Sequence, residues 1–440
     1  MKSKKLCASI LAILLNSCSF ESIYPQNNSK VDINNKTKSF GTLNENEIKA
    51  VTDSGIVTAN NKFGVNLFLD IVKEQKNENI FISPASLSLA LQMTYNGADK
   101  ETKDEMAKVL EISSLPLEDV NNLNKLLIKK LNNPAPDIQL KVANSLWGGK
   151  ARINFKDEFK SSLTNYYSAN SQELDFSDSK SADIINQWAS DNTNGKITKV
   201  IDEIPSDIIA YLMNAIYFKA NWTTKFKEEN TLKDSDFNLS DGKKKKHPLM
   251  SDFRDFRYIN YNYDIDTESK ILPENQFEGA ELTYGEDSKV SLFLFLPNEK
   301  SSLEKFYTQL NNENIEKWVK KFYHTQGMIS FPKFKLKYTK QLKENLKSLG
   351  MVSAFNSANF TKMGTSPLGN IFISYVSHDT FVDVNEEGTE ATAITTVGTS
   401  AQSVSTTSRF VANRPFFYLI RDNETKSILF MGAVNNPEYN

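Results

Sequence analysis

Between Ala391 and Ser408 the chain carries no charge, no proline and no aromatic side chain, although about a quarter of all its residues are charged. The run ("ATAITTVGTSAQSVSTTS") is rich in Thr, Val and Ile, side chains that suit a pleated strand. Nothing within it blocks edge-to-edge pairing, so a fold that leaves it open carries an aggregation hazard. Any architecture for this chain must therefore account for an unprotected strand former.

The 440 residues, 39% hydrophobic and 11% aromatic, can bury a large core as one big domain or two or three ordinary ones. A net charge of −2 gives no global pull towards nucleic acid or an anionic membrane. The only histidines are His247, His324 and His378, and the only cysteines are Cys7 and Cys18. The body of the chain thus has no disulfide, thiol nucleophile or cysteine-based metal site.

Lys2, Lys4 and Lys5 precede an apolar run from Leu6 to Leu15, too short for a membrane span and right for a signal-peptide core. The run ends in Leu15-Asn16-Ser17-Cys18, which resembles the bacterial lipoprotein processing box and implies cleavage after residue 17 and lipidation of Cys18. An ordinary secretory signal with an incidental cysteine is the alternative. Residues 18–55, rich in Asn, Ser and Lys, read as a flexible tether reaching roughly 30–35 Å. Residues 56–440 then form one domain.

Within it, "NNKFGVNLFLDIVKEQ" places Phe63, Leu67, Phe68, Ile71 and Val72 on one helical face. "ASLSLALQMTYNG" reads as a buried helix stopped by a left-handed Gly97, and "YTKQLKENLKSLG" as an amphipathic helix stopped by Gly350. Strands are expected at 290–297, 329–337 and 371–384, and a hairpin around Asp422-Asn423. Strands and helices segregate, so the class is α+β.

Catalytic signatures are missing. There is no Gly-rich phosphate loop, no dinucleotide fingerprint and no metal-spaced pair of histidines. "GTSPLG" and "GTSAQ" lack the second glycine of a nucleophile elbow. A hydrolytic triad would have to recruit His324 or His378, and His378 falls mid-strand on an apolar face. Lys243–Lys246 read as a solvated hairpin tip, with a polyanion site as the alternative.

Five long segments resemble the serpin family, in family order and covering residues 60–440. They are "NIFISPASLSLALQMTYNGADKETKDEM" (79–106), "YLMNAIYFKANWTTKF" (211–226), "FPKFKLKYTKQLKENLKSLGMVSAF" (331–355), "HDTFVDVNEEGTEATAITT" (378–396) and "RPFFYLIRDNETKSILFMGAV" (414–434). The resemblance implies a fold of three β-sheets and eight or nine helices, with an exposed reactive-centre loop at about 386–410. It implies no catalytic activity, no cofactor, no metal and no nucleic-acid partner, and a monomer that traps proteases covalently. A serine protease would attack the loop as substrate, and the cleaved loop would insert as a new central strand before the acyl-enzyme is hydrolysed. A non-inhibitory carrier of the same fold is the rival reading.

The resemblance assigns the hinge to Glu386, Glu387, Gly388, Thr389, Glu390, Ala391, Thr392 and Ala393. Thr389, Ala391, Ala393, Thr395, Val397 and Thr399 would face inward after insertion, all of them small or β-branched. The scissile bond falls at Gln402–Ser403, with Thr399, Ala401 or Val404 as alternative residues before the cut. None is basic, so elastase-like or subtilisin-like proteases are favoured and papain-like ones form a further class. Ser83, Ser86, Asn214 and His378 match the polar cluster under the central sheet, Asn186 a polar position near it, and Trp222 the point where the loop enters.

Overall fold

The computed structural model describes residues 43–389 and 408–439, apart from 133, 136, 206, 207, 265 and 266. Its helices are α1 (Glu45–Asp53), α2 (Ile56–Glu74), α3 (Pro84–Tyr95), α4 (Lys100–Val109), α5 (Leu117–Leu131), α6 (Asp157–Tyr167), α7 (Lys180–Asn192), α8 (Leu303–Tyr307), α9 (Asn312–Lys321) and α10 (Lys343–Ser348). The first strands are β1 (Ile80–Ile82), β2 (Ile138–Gly149), β3 (Asn154–Phe155), β4 (Asn170–Leu174), β5 (Ala210–Asn221), β6 (Leu232–Asn238) and β7 (Lys244–Tyr261). Next come β8 (Tyr263–Asp264), β9 (Ser269–Lys270), β10 (Phe277–Tyr284), β11 (Val290–Pro297), β12 (Tyr323–Pro332) and β13 (Phe334–Gln341). The last are β14 (Gly364–Thr365), β15 (Ile373–Asn385), β16 (Gly388–Thr389), β17 (Ser408–Val411), β18 (Phe416–Asp422) and β19 (Ile428–Val434).

A six-stranded sheet runs β13-β15-β16-β5-β2-β4. The other two expected sheets share the long strand β7, so their hydrogen bonds run on through nine strands, β1-β19-β18-β11-β10-β7-β12-β17 with β6 on β7. The inner face of the six-stranded sheet meets α3 and the main core. On the opposite face Trp147, Tyr211 and Met213 pack with Ala182 and Ile185 of α7 as a separate small cluster.

Four local expectations change. Residues 43–55, read as tether, fold onto the domain: Asn44 and Glu47 close a capping box on α1, and Leu43 and Val51 are buried. That helix raises the count to ten α-helices among the described residues, above the eight or nine expected. Gly97 is not left-handed; it is small because a Cβ would lie 2.5 Å from the Cβ of Met363. The strand expected at 329–337 is two strands in different sheets, β12 and β13, which the chain joins at Lys333. The helix before Gly350 is shorter than its pattern, because β13 extends to Gln341 first. Gly350 itself has φ +112° as expected of a left-handed stop.

Candidate functional site

The centre of the six-stranded sheet is zipped at one end and split at the other. β15 and β5 pair in parallel from Tyr375–Tyr211 through His378–Asn214 to Thr380–Ile216. Beyond that point β16 lies between them, antiparallel to both. Val384 and Ala220 both face Thr389, and Asn385 and Asn221 both face Gly388. The numbering offset between facing residues of β15 and β5 is therefore the same across the inserted pair as along the zipped seam. The split needs sideways separation only, with no slide along the strands.

Hinge residues Glu386 to Thr389 are each anchored. Trp222 is buried, donates its indole N–H to the Asn385 carbonyl (2.8 Å) and stacks on Tyr284 (centroids 4.4 Å apart). The backbone N–H groups of Trp222 and Phe226 donate to the carbonyls of Glu387 and Glu386, at 2.9 Å each. Glu386 accepts from the Thr231 hydroxyl (2.6 Å) and pairs with Lys333 (2.8 Å), contacts that hold its carboxyl below the usual range against the opposing effect of burial. Glu387 pairs with Lys225 (2.5 Å). Gly388 has φ +153°, and a Cβ there would lie 2.1 Å from the Ala220 carbonyl oxygen, so only glycine fits the pivot. Thr389 is fully buried with its hydroxyl 2.8 Å from the Tyr284 hydroxyl.

Under the zipped part lies a row of polar side chains from three strands and a helix start. Ser83 caps α3 through its hydroxyl, which accepts from the Ser86 N–H (3.3 Å) and donates to the Leu429 carbonyl (2.6 Å). His378 Nε2 accepts from the Ser83 N–H (3.0 Å), which leaves Nδ1 as the protonated nitrogen donating to Asn214 Oδ1 (2.8 Å). Asn214 Nδ2 in turn donates to Asn144 Oδ1 (2.7 Å) and to Ser86. His378 is fully buried, and burial pulls its pKa down to about 3, so the ring is neutral. Opening the seam must break the His378–Asn214 bond.

Ser83, Ser86, Asn214 and His378 are thus brought together, while Trp222 sits with Glu386–Thr389 at the mouth of the split. Asn186 does not join the cluster. It lies on α7 and bonds the backbone of Val200 and Ile201, because the helix faces its own following loop there. Asn144, absent from the expected set, completes the row. β2 also holds Gln139, Lys141 and Ser145, so its sequence does not single Asn144 out. Glu390, Ala391, Thr392, Ala393, Thr399, Ala401, Gln402, Ser403, Val404 and Cys18 lie outside the described residues.

Neither ring nitrogen of His378 is free to activate a nucleophile, and its depressed pKa makes it a poor base. His247 is buried against the Lys333 carbonyl, and His324 is exposed on β12 opposite Arg257. The lysine run is engaged locally. Lys243 pairs with Asp241, Lys244 and Lys246 with Asp236, and Lys245 donates to Asn436 and Pro437.

The description of the serpin (serine protease inhibitor) family matches residues 58–437. The chain is a serpin. It is 34% identical to leukocyte elastase inhibitor of Xenopus laevis over 386 residues, covering 85% of this chain and 97% of the relative. Among solved structures, the thermophilic serpin tengpin in its native state is 31% identical with a TM-score of 0.78, covering 90% of this serpin and 95% of tengpin. Human thyroxine-binding globulin complexed with thyroxine is 25% identical with a TM-score of 0.78, covering 89% of this chain and 100% of that one.

Proposed function

We propose that this serpin is a suicide-substrate inhibitor of serine endopeptidases that traps the acyl-enzyme by drawing its cleaved loop into the split between β15 and β5. The observation that carries the reading is the register of β16. Continued along both neighbours after cleavage, that register would put Ala391 between Val382 and Phe218, Ala393 between Thr380 and Ile216, and Val397 between Val376 and Leu212. Thr395 would then fall between His378 and Asn214. A threonine hydroxyl both donates and accepts, so it can replace the bond that opening breaks. In this register Thr395 would meet the polar row of the seam with a hydroxyl, and Ala391 and Val397 would meet apolar neighbours on both sides.

The chemistry follows from that start. The protease serine attacks the carbonyl of the residue before the cut, an ester bond forms, and the amine of the next residue leaves. Freed at that end, residues from Glu390 onward pair with β15 and β5. Parallel pairing along the seam is replaced by antiparallel pairing on both sides, the better geometry per residue. β5 ends opposite Thr399 in this register and β15 opposite Ser400, which favours Gln402–Ser403 or a cut after Ala401 or Val404 over one after Thr399. The name of the Xenopus laevis relative supports an elastase-like target; subtilisin-like serine and papain-like cysteine proteases are the other candidates.

Incubation with a protease panel is expected to give a complex that survives SDS and releases a peptide beginning at Ser403. Complete turnover of the loop by every protease would leave the carrier reading. That second reading draws on the likeness to thyroxine-binding globulin, crystallised with thyroxine.

The signal-like start and Leu15-Asn16-Ser17-Cys18 support an inhibitor lipidated at Cys18 and displayed on a bacterial envelope as a monomer. Expressed with labelled palmitate, the wild type is expected to carry label and the Cys18→Ser variant none. Equal labelling of the two would refute the anchor.

A further inference from the structure

The segment after β19 is strapped across the hinge. Asn435 and Asn436 donate their backbone N–H groups to Asn79 Oδ1 at 2.8 and 2.9 Å. Lys245 donates to Asn436 Oδ1 and the Pro437 carbonyl, both at 2.8 Å, and the Lys335 N–H donates to the Glu438 carbonyl (2.7 Å). These bonds deliver Tyr439 to two ammonium groups: Lys333 Nζ lies 4.5 Å and Lys335 Nζ 5.2 Å from its ring centroid.

Each ammonium is also ion-paired with a carboxylate flanking the end of β15, Lys333 with Glu386 (2.8 Å) and Lys335 with Asp383 (3.0 Å). The Lys333–Glu386 pair is largely desolvated, with side-chain exposures of 16% and 9%, so its geometry matters more than that of a surface pair. The Tyr439 phenol faces Asp383 and Asn385; burial and the Asp383 charge push its pKa up to about 12, so it stays neutral. One aromatic ring therefore lies against both cations that fix Asp383 and Glu386, the residues bracketing Val384 and Asn385. Those two are the β15 partners of β16. Cations sit favourably on a tyrosine ring, more so when desolvated.

We propose that Tyr439 is a positioning residue for loop insertion: its ring holds Lys333 and Lys335 on Glu386 and Asp383, fixing the turn at the mouth of the split so that the cleaved loop zips from a preformed start. The inference rests on the inhibitory reading above. Insertion competes with hydrolysis of the acyl-enzyme, so a loosened turn shifts the partition towards hydrolysis while leaving the first encounter with the protease untouched.

The test compares Tyr439→Leu, which keeps apolar volume without an aromatic face, with Tyr439→Phe, which keeps the face. Tyr439→Leu is expected to raise the moles of inhibitor consumed per mole of protease inactivated by about fivefold, with the association rate unchanged and Tyr439→Phe matching the wild type. Combining Tyr439→Leu with Lys333→Met should add little to Lys333→Met alone. A protease-free readout separates this inference from the reading beneath it. The backbone amides of Trp222 and Phe226, which donate to the hinge carbonyls, should exchange about fivefold faster in Tyr439→Leu. Unchanged partition and exchange in Tyr439→Leu, or equal damage from Tyr439→Phe, would overturn the role of the ring. A wild type that traps no protease while Tyr439→Leu still speeds exchange would overturn the inhibitory reading and keep Tyr439 as the hinge clamp.

Discussion

Thr389→Arg is expected to turn the inhibitor into a substrate. Thr389 is fully buried between Val384 and Ala220, with its hydroxyl on Tyr284. A guanidinium in that row would be an uncompensated buried charge, which costs several kcal/mol. The first rung of the new strand would be lost, and hydrolysis of the acyl-enzyme would win. The loss in trapped complex is expected to be at least about 100-fold, the factor equivalent to about 3 kcal/mol. Cleavage of the loop should continue at the wild-type rate, because the bond under attack lies far along the chain from residue 389. Thr389→Ser, which keeps the hydroxyl, should still trap. Undiminished complex formation by Thr389→Arg would show that the docked hinge plays no part.

The second large effect concerns acid. The folded pKa of His378, about 3, is depressed below the 6.5 of an exposed imidazole. A depressed pKa means that protonation opposes the fold: its contribution is complete above pH 6.5 and is lost as pH falls from 6.5 towards 3. At pH 5 the loss from this residue is about 2 kcal/mol. His247, whose pKa burial also lowers, adds to the same slope. Buried Asp379, with its pKa raised chiefly by desolvation, acts in the opposite sense because its neutral form is favoured. Denaturant unfolding from pH 7 to pH 5 should therefore show a marked fall in wild-type stability. His378→Gln should be less stable at pH 7 by about 1–3 kcal/mol and lose clearly less on acidification. Equal slopes for the two proteins would remove His378 from the acid response. The site explains why this matters for function, since the charged ring would reject the Ser83 N–H that its Nε2 now accepts.

Much of the frame was legible because its patterns are strong. The apolar stretch Leu292–Leu296 of β11 marks a strand buried on both faces, and the faces of α2 and the closing hairpin follow simple periodicities. What escaped was mostly tertiary. α1 carries a capping box, but Asn- and Lys-rich surroundings made it read as tether until Leu43 and Val51 found a core. From 329 to 337 the apolar positions switch parity, Ile329 and Phe331 before Pro332-Lys333 and Phe334 and Leu336 after it, and reading the stretch as one strand passed over that slip, where the chain changes sheets. In the site, the grouping of Ser83, Ser86, Asn214 and His378 came with the family resemblance. Asn144 and the Lys333–Glu386 pair depend on strands far apart in sequence, which no spacing reveals.

The central claim is that the loop belongs in the seam, and thermal unfolding after a single cut tests it most directly. A protease that nicks between residues 400 and 405 should free the loop to zip, adding roughly a dozen paired residues on both sides of the new strand. At about 1 kcal/mol per net hydrogen bond, the midpoint is expected to rise by roughly 20 °C or more over the uncut protein. An unchanged or lower midpoint after complete cleavage would contradict insertion and leave a serpin fold without its spring.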